Sequence, residues 1–215
     1  MQVLPVINVQ TAEEAVKKME AAAGFADLVH LDIEDGVFLP RKNWGSPEEL
    51  AKLLKVNGQL LNVKLEVHLM VSNPEAVLDA WLRTGLVKRV IVHLEAMTDS
   101  VYILEKCKKY GAEAMLALNP GTETERALAH KDDFRYFQML AVQPGPSGQK
   151  FDAKILDKIR FLKAKVPNAI IEVDGGVNLE TAALIKNAGG EIIVSDSYIF
   201  GSDDPKKAYE NLSNA

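Results

Sequence analysis

"VHLDIEDG", residues 29–36, sets His30, Asp32 and Glu34 at alternate positions among apolar residues. Side chains two apart share one face of a β-strand but not of a helix, so the stretch reads as a strand with three proton- or metal-binding groups on one side. Around it the same kind of run recurs: "VLPVINV" (3–9), "LVHLDIE" (28–34), "LEVHLMV" (65–71), "RVIVHLE" (89–95), "EAMLALN" (113–119), "YFQMLAVQ" (136–143), "AIIEVDG" (169–175) and "EIIVSDS" (191–197). Helical patterns lie between them. Their starts carry capping chemistry at Thr11 with Glu14, Ser46 with Pro47 and Glu49, Asn73 with Pro74, Asn178, and Asp204 with Pro205. Gly24, Gly85, Gly111 and Gly189 punctuate helix ends. Eight strand–helix units without a linker predict an α/β chain folded as a single (β/α)8 TIM barrel over residues 1–215. An open doubly wound sheet is the competing topology.

Composition narrows the function. The chain has 215 residues, 47% of them hydrophobic and 26% charged, which suits a folded soluble protein with a substantial core. A net charge of -5 with no basic stripe speaks against nucleic acid and anionic membranes as partners. The N-terminal "MQVLPVINVQ" lacks a basic leader, and no apolar run approaches a membrane span, so a cytoplasmic protein acting on a small molecule is expected. A homo-oligomer is compatible with the sequence. The single Cys107, within "YILEKCKKYG", reads as a helix position, not a reactive thiol.

In such barrels the active site lies at the C-terminal ends of the strands. Late strand positions hold His30, Asp32 and Glu34; Glu66, His68 and Met70; His93 and Glu95; and Asp174 before Gly175 and Gly176. His30, Asp32, His68 and Asp174 offer two imidazoles and two carboxylates, a mixed N/O set suited to one divalent ion such as Zn, Mn, Fe or Co. The alternative is four separate polar core residues, each satisfied by a neighbour.

The motifs "HLDIEDGVFLP", "EVHLMVSNPE", "VHLEA", "LALNPGT", "VQPGPSGQKF", "IEVDGGVN" and "IIVSDS" resemble, in order and spacing, those of ribulose-phosphate 3-epimerases, from about Leu4 to Ser202. The resemblance implies a metal held by His30, Asp32, His68 and Asp174, with Asp32 and Asp174 as the proton-transfer pair and a sugar phosphate as substrate. Inverting a carbon beside a ketone requires acid/base groups on both faces, and a divalent ion would stabilise the enediolate between the two transfers. Met70 matches a methionine that lines the family's pocket.

Departures from the family pattern gather at the substrate end. The expected phosphate-binding set is Gly145, Ser147, Gly148, Gly175, Gly176 and Ser197, but "PGPSGQ" replaces the usual "PGFGGQ", and Asp196 stands where a glycine precedes the serine. That serine, Ser197, is expected on the eighth strand, with Asp196 pointing to the opposite side. Glu34 replaces a pocket methionine, Val37 a histidine, and Asn8 is the nearest substitute for an early serine. The loop "LPRKNWGSPEE" is also unlike the family's; Glu34 reads as a carboxylate paired with Arg41 or Lys42 at the rim, as a specificity group for extra substrate hydroxyls or a cation, or, least in keeping with four ligands already present, as part of the metal shell. These differences leave room for a related epimerase or aldolase acting on another, unphosphorylated ketose, or for a non-catalytic binding barrel. Decarboxylases of orotidine phosphate and keto-gulonate phosphate, which share the architecture, use an Asp-x-Lys-x-x-Asp strand, whereas "HLDIEDG" has no lysine.

Overall fold

The computed structural model describes residues 1–56, 62–145 and 147–215. Eight parallel strands close into a barrel in sequential order: β1 (Gln2–Ile7), β2 (Leu28–Glu34), β3 (Lys64–Met70), β4 (Val87–His93), β5 (Glu113–Leu118), β6 (Tyr136–Leu140), β7 (Ile170–Asp174) and β8 (Ile192–Ser195). Helices alternate with them: α1 (Ala12–Ala22), α2 (Pro47–Val56), α3 (Pro74–Leu82), α4 (Ser100–Tyr110), α5 (Ile155–Lys165), α6 (Leu179–Ala188), α7 (Ser197–Phe200) and α8 (Pro205–Ser213). The TIM-barrel expectation is met. No helix among the described residues is long and apolar enough to cross a membrane.

Two compact halves make up the chain: Pro5–Val92 with Ala96–Ala114, and Met1–Leu4 with His93–Glu95 and Met115–Ala215. In the first half, β2 and β3 are buried at every position after the first. Strands covered on both faces read as near-continuous apolar runs, which is why the polar exceptions stand out. Leu31, Leu65 and Leu69 are fully buried, each worth about 1.5–3 kcal/mol relative to exposure. Helix α1 contributes Ala15, Met19 and Ala22, spaced along one face. It begins with a capping box in which Thr11 Oγ1 accepts from Glu14 N (3.2 Å) and Glu14 Oε2 accepts from Thr11 N (3.3 Å). Ser46 Oγ accepts from Glu49 N at 3.2 Å, and Asn73 Oδ1 from Ala76 N at 3.1 Å, as the sequence predicts.

In the second half, α5 packs inward through Ile155, Leu156, Ile159 and Leu162. Asn178 and Thr181 form a second capping box at α6. Two elements differ from expectation. The segment after β5 is a 3-10 helix, Thr124–His130, held without a side-chain cap at Glu123. Strand β8 stops at Ser195, so Ser197 begins the short helix α7 and Asp196 is its N-cap in αR conformation. The strand-parity argument for Asp196 therefore does not apply. A hydrogen bond from Phe200 N to Asp196 O (2.8 Å) turns the chain into the helix at this point.

Gly176 and Gly111 both have positive φ, 65° and 69°, but differ in surroundings. A Cβ at Gly176 would lie 2.5 Å from the Phe151 backbone nitrogen, whereas one at Gly111 would meet nothing within 4 Å. Gly111→Ala should therefore cost only the left-handed backbone penalty of about 1–2 kcal/mol. Gly176→Ala should lower the melting temperature roughly twice as much or more, because the clash with backbone adds to the same penalty. Thermal denaturation of both variants checks this; equal losses would mean that the Phe151 segment yields without cost.

Candidate active site

Three neighbouring strands of the first half stack polar groups in register. His30 on β2 lies beside Glu66 on β3, and Glu66 beside Arg89 on β4. Two residues further along, Asp32 is paired with His68, and then Glu34 with Met70. All but Arg89, at 8%, and Asp32, at 6%, are no more than 2% exposed. His30 Nδ1 is 2.7 Å from Glu66 Oε1, and the other oxygen of Glu66 accepts from Arg89 Nη1. Glu66 thus takes charge-assisted contacts on both sides, the condition for burying a carboxylate.

Hydrogen bonding of Nδ1 to Glu66 turns Nε2 of His30 toward Asp32 Oδ1 (3.1 Å) and His68 Nδ1 (3.3 Å). His68 Nδ1 is in turn 3.2 Å from Asp32 Oδ1. Burial disfavours an imidazolium at His30, but the carboxylates of Asp32 and Glu66 outweigh it and hold the imidazole well above its ordinary value. At His68, burial dominates and pushes the value down despite Asp32. Asp32 is buried, yet the two imidazoles keep its carboxyl well below the usual carboxylate range. Three donor atoms of opposite preference converge on one point, so this His/Asp cluster can hold a metal.

Above it, the second oxygen of Asp32 accepts from Asn8 Nδ2 at 2.9 Å, and the same nitrogen is 3.3 Å from Glu34 Oε1. Arg41 Nη2 donates to Asn8 Oδ1 (3.1 Å), and its Nε stands 3.3 Å from Glu34 Oε2. That approach is close enough for ion pairing but not aligned for a hydrogen bond. Arg41 is therefore the cation beside Glu34. Burial nonetheless raises the Glu34 carboxyl above its ordinary value, with Arg41 and Asn8 opposing it. Met70 is buried in β3, beside Glu34.

Sequence reasoning missed Asn43. Its Oδ1 accepts from Glu34 N (2.8 Å) and its Nδ2 donates to Asp32 O (2.9 Å), so a loop side chain continues the ladder at the end of β2. No periodic signal marks such a residue; only the polar break after the strand hints at it. Arg89 was also missed, as a charge at the start of an apolar run looks like a strand boundary.

In the second half, Asp174 is the last residue of β7, half-buried, and its carbonyl accepts from Ala141 N at 2.7 Å. Gly175 and Gly176 follow with φ of 105° and 65°. Gly145 and Gly148 also have positive φ, 142° and 84°, in the loop after β6. Pro146 lies outside the described residues. Ser147 Oγ donates to Asp196 Oδ2 at 2.7 Å, linking two residues that depart from the family pattern. Ser197 is exposed. Glu95, just beyond β4, accepts from Asn119 N (3.0 Å) and Thr122 Oγ1 and lies 3.3 Å from His93 Nδ1. Cys107 is buried on α4, and burial pushes its thiol up to about 12, which fits an inert core position.

A parallel barrel with such a cluster late in its strands has the makings of an enzyme. The profile of the ribulose-phosphate 3 epimerase family matches residues 3–200. A ribulose-phosphate 3-epimerase of Methanocaldococcus jannaschii is 36% identical over 206 residues, covering 94% of this chain and 84% of that protein. One from Bacillus subtilis is 32% identical over 194 residues, covering 88% and 87%. Among solved structures, a 3-hexulose-6-phosphate synthase superposes with a TM-score of 0.72 at 17% identity, covering 100% of this chain and 99% of that one. A 3-keto-L-gulonate-6-phosphate decarboxylase of Vibrio cholerae gives 0.74 at 13% identity, covering 99% and 95%. These last two likenesses concern the fold alone. The chain belongs to the ribulose-phosphate 3-epimerase family and is an enzyme of the isomerase class.

Burial opposes ionisation of Glu95, but hydrogen bonds from His93, Thr122 and the Asn119 backbone bring its value down from 4.5 to about 2. A folded-state value below the unfolded one means that this stability is fully present above pH 4.5 and fades as pH falls toward 2. Glu95→Gln should therefore be destabilising at neutral pH and show a shallower loss of stability across that acid window. Urea unfolding at several pH values measures the slope; an unchanged slope would remove Glu95 from the acid response.

Proposed function

We propose that this chain is a metal-dependent ketose-phosphate 3-epimerase that interconverts D-ribulose 5-phosphate and D-xylulose 5-phosphate. The observation that carries the reading is the convergence of His30 Nε2, His68 Nδ1 and Asp32 Oδ1 at 3.1–3.3 Å in a member of that family. Two donors about 2.1 Å from one ion stand about 3.0–3.4 Å apart for right-angled to tetrahedral arrangements, so these spacings suit a first-row divalent cation. With Nδ1 of His30 engaged by Glu66, its Nε2 lone pair would face a carboxylate unless a proton or a cation lay between them. Asp174 is included as the fourth ligand because it offers a compatible oxygen donor. Zn, Mn, Fe and Co all suit this set.

When bound, such an ion supplies positive charge beside the substrate oxygens on which negative charge develops. The chain's own residues do the rest. Asp32 takes the carbon-3 proton from one face, Asp174 delivers one to the other, and the roles reverse in the opposite direction. Asn8, Glu34 and Met70 line the sugar side of this site, and Gly145, Ser147, Gly148, Gly175, Gly176, Asp196 and Ser197 the end that receives the phosphate. A cytoplasmic setting and a sugar phosphate as the small-molecule partner, with neither nucleic acid nor membrane, complete the proposal.

Protein purified without chelator should contain one divalent ion per chain, and in deuterated water it should wash deuterium into carbon 3 of ribulose 5-phosphate. Asp32→Asn and Asp174→Asn should each cut turnover by roughly 100-fold or more, since inversion needs both faces served. Exchange undiminished in both variants, or full activity without metal, would refute the assignment.

Asp196 and Glu34 favour a second reading, a related epimerase acting on an unphosphorylated ketose. The bond from Ser147 occupies one oxygen of Asp196, which supports tolerance of a nearby phosphate. On the phosphate reading, Asp196→Gly should lower the Michaelis constant for the phosphate ester by up to about fivefold, the equivalent of roughly 1 kcal/mol of repulsion at a solvated mouth. Loss of turnover only with unphosphorylated ketoses would favour the second reading instead.

A further inference from the structure

We infer that Asn8, Glu34 and Arg41 form a positioning device for the carboxylate of Asp32, in which Arg41 settles a competition between Asp32 and Glu34 for the amide of Asn8. The inference rests on the epimerase reading for its effect on turnover, though the device itself does not.

The geometry is specific. A guanidinium only donates, so Arg41 Nη2 at 3.1 Å requires the oxygen of Asn8 to face it. The nitrogen of the same amide must then face inward, where it meets Asp32 Oδ2 at 2.9 Å and Glu34 Oε1 at 3.3 Å. The shorter bond goes to Asp32. Glu34 can accept the longer one because Arg41 Nε, 3.3 Å from its other oxygen, offsets its charge, in a side chain with no exposure to water. Asp32 is thereby held at both ends: Oδ2 by Asn8 and Oδ1 on the side of the imidazoles of His30 and His68. Rotation about its last torsion, otherwise broad for a carboxylate, is closed off.

Removing Arg41 leaves a buried, uncompensated Glu34 carboxylate beside a donor that it shares with Asp32. The amide then turns to Glu34, and Asp32 Oδ2 loses its hydrogen bond. Remove Glu34 as well and that competitor is gone, so the Asn8 amide keeps its bond to Asp32. Arg41 is thus required because Glu34 is present, and the two departures from the family pattern belong together with Asn8, the third. The loop after β2 reaches the reacting centre by this route, through hydrogen bonds and without touching the substrate itself.

The test combines kinetics with nuclear magnetic resonance on metal-loaded, full-length protein. Arg41→Leu should lower kcat roughly 10- to 100-fold with KM changed less than about threefold, as expected when a reacting group is misplaced and substrate contacts are kept; Asn8→Ala should lower kcat as much and, as a sugar-side residue, raise KM as well. The two together should be no worse than the poorer single variant, since they disable one device. Glu34→Met in the Arg41→Leu background should raise kcat severalfold above that of Arg41→Leu alone, whatever it does to KM as a sugar-side residue. In protein labelled with 15N-asparagine, the Asn8 side-chain signal, identified by its loss in Asn8→Ala, should move in Arg41→Leu and return in the Arg41→Leu, Glu34→Met double variant. Additive kinetic losses, a KM rise in Arg41→Leu without a fall in kcat, or an Asn8 signal indifferent to Arg41 would each overturn the inference. If the wild type fails to exchange carbon-3 hydrogen, the epimerase reading fails, and the resonance experiment still decides the device.

Discussion

Glu66 is the group on which this structure turns. A carboxylate with no exposure to water, in the interior of a parallel barrel, is unstable unless both oxygens meet strong donors. It meets them in Nδ1 of His30 at 2.7 Å and the guanidinium of Arg89, each on an adjacent strand in register. The contact with His30 has a second effect. By engaging one ring nitrogen it dictates which one is turned up the barrel, and so determines what Asp32 and His68 find opposite them. The electrostatic character of the site is set one layer below the layer that would do chemistry.

A related economy is seen in the second half, where Gln138 on β6 donates to Glu172 on β7 at 3.1 Å, again between register partners. In both halves a polar floor is built from side chains that strand pairing brings side by side. Charged residues in such a floor cost little once every partner is in place, and a great deal when one is missing. Above the floor in the first half, Asn43 extends the hydrogen bonding of β2 past its last residue, which keeps Asp32 and Glu34 on ordered backbone instead of on a mobile loop.

The barrel was legible because its determinants are local and repetitive. Strand β2 spans Leu28–Glu34, the same seven residues that alternation picks out, and the caps at Thr11, Asn73, Asn178 and Asp204 each accept the backbone hydrogen bond that their residue type suggests. The cluster of His30, Asp32 and His68 was legible for the same reason, since parity and strand order suffice to bring it together. What escaped was decided by side chains free to choose among partners. Nothing in the order of residues says that Asn43 bends back to β2, that Arg41 and not Lys42 meets Glu34, or that Ser147 closes on Asp196. The misreading of Asp196 has a different source. A strand of four residues gives too few alternations to show where it ends, and the turn into α7 uses only backbone hydrogen bonds.

The His30, Glu66 and Arg89 layer also constrains how a chain of this kind can change by mutation. Replacing any one of the three leaves at least one buried polar group reaching for an absent partner, a loss of about 3–5 kcal/mol that can consume much of a domain's stability. An apolar replacement of all three could be neutral or better, yet no sequence of single substitutions reaches it without passing through that valley. A designer wishing to rebuild this floor would have to exchange positions 30, 66 and 89 in one step, and would surrender the orientation of the His30 ring in doing so.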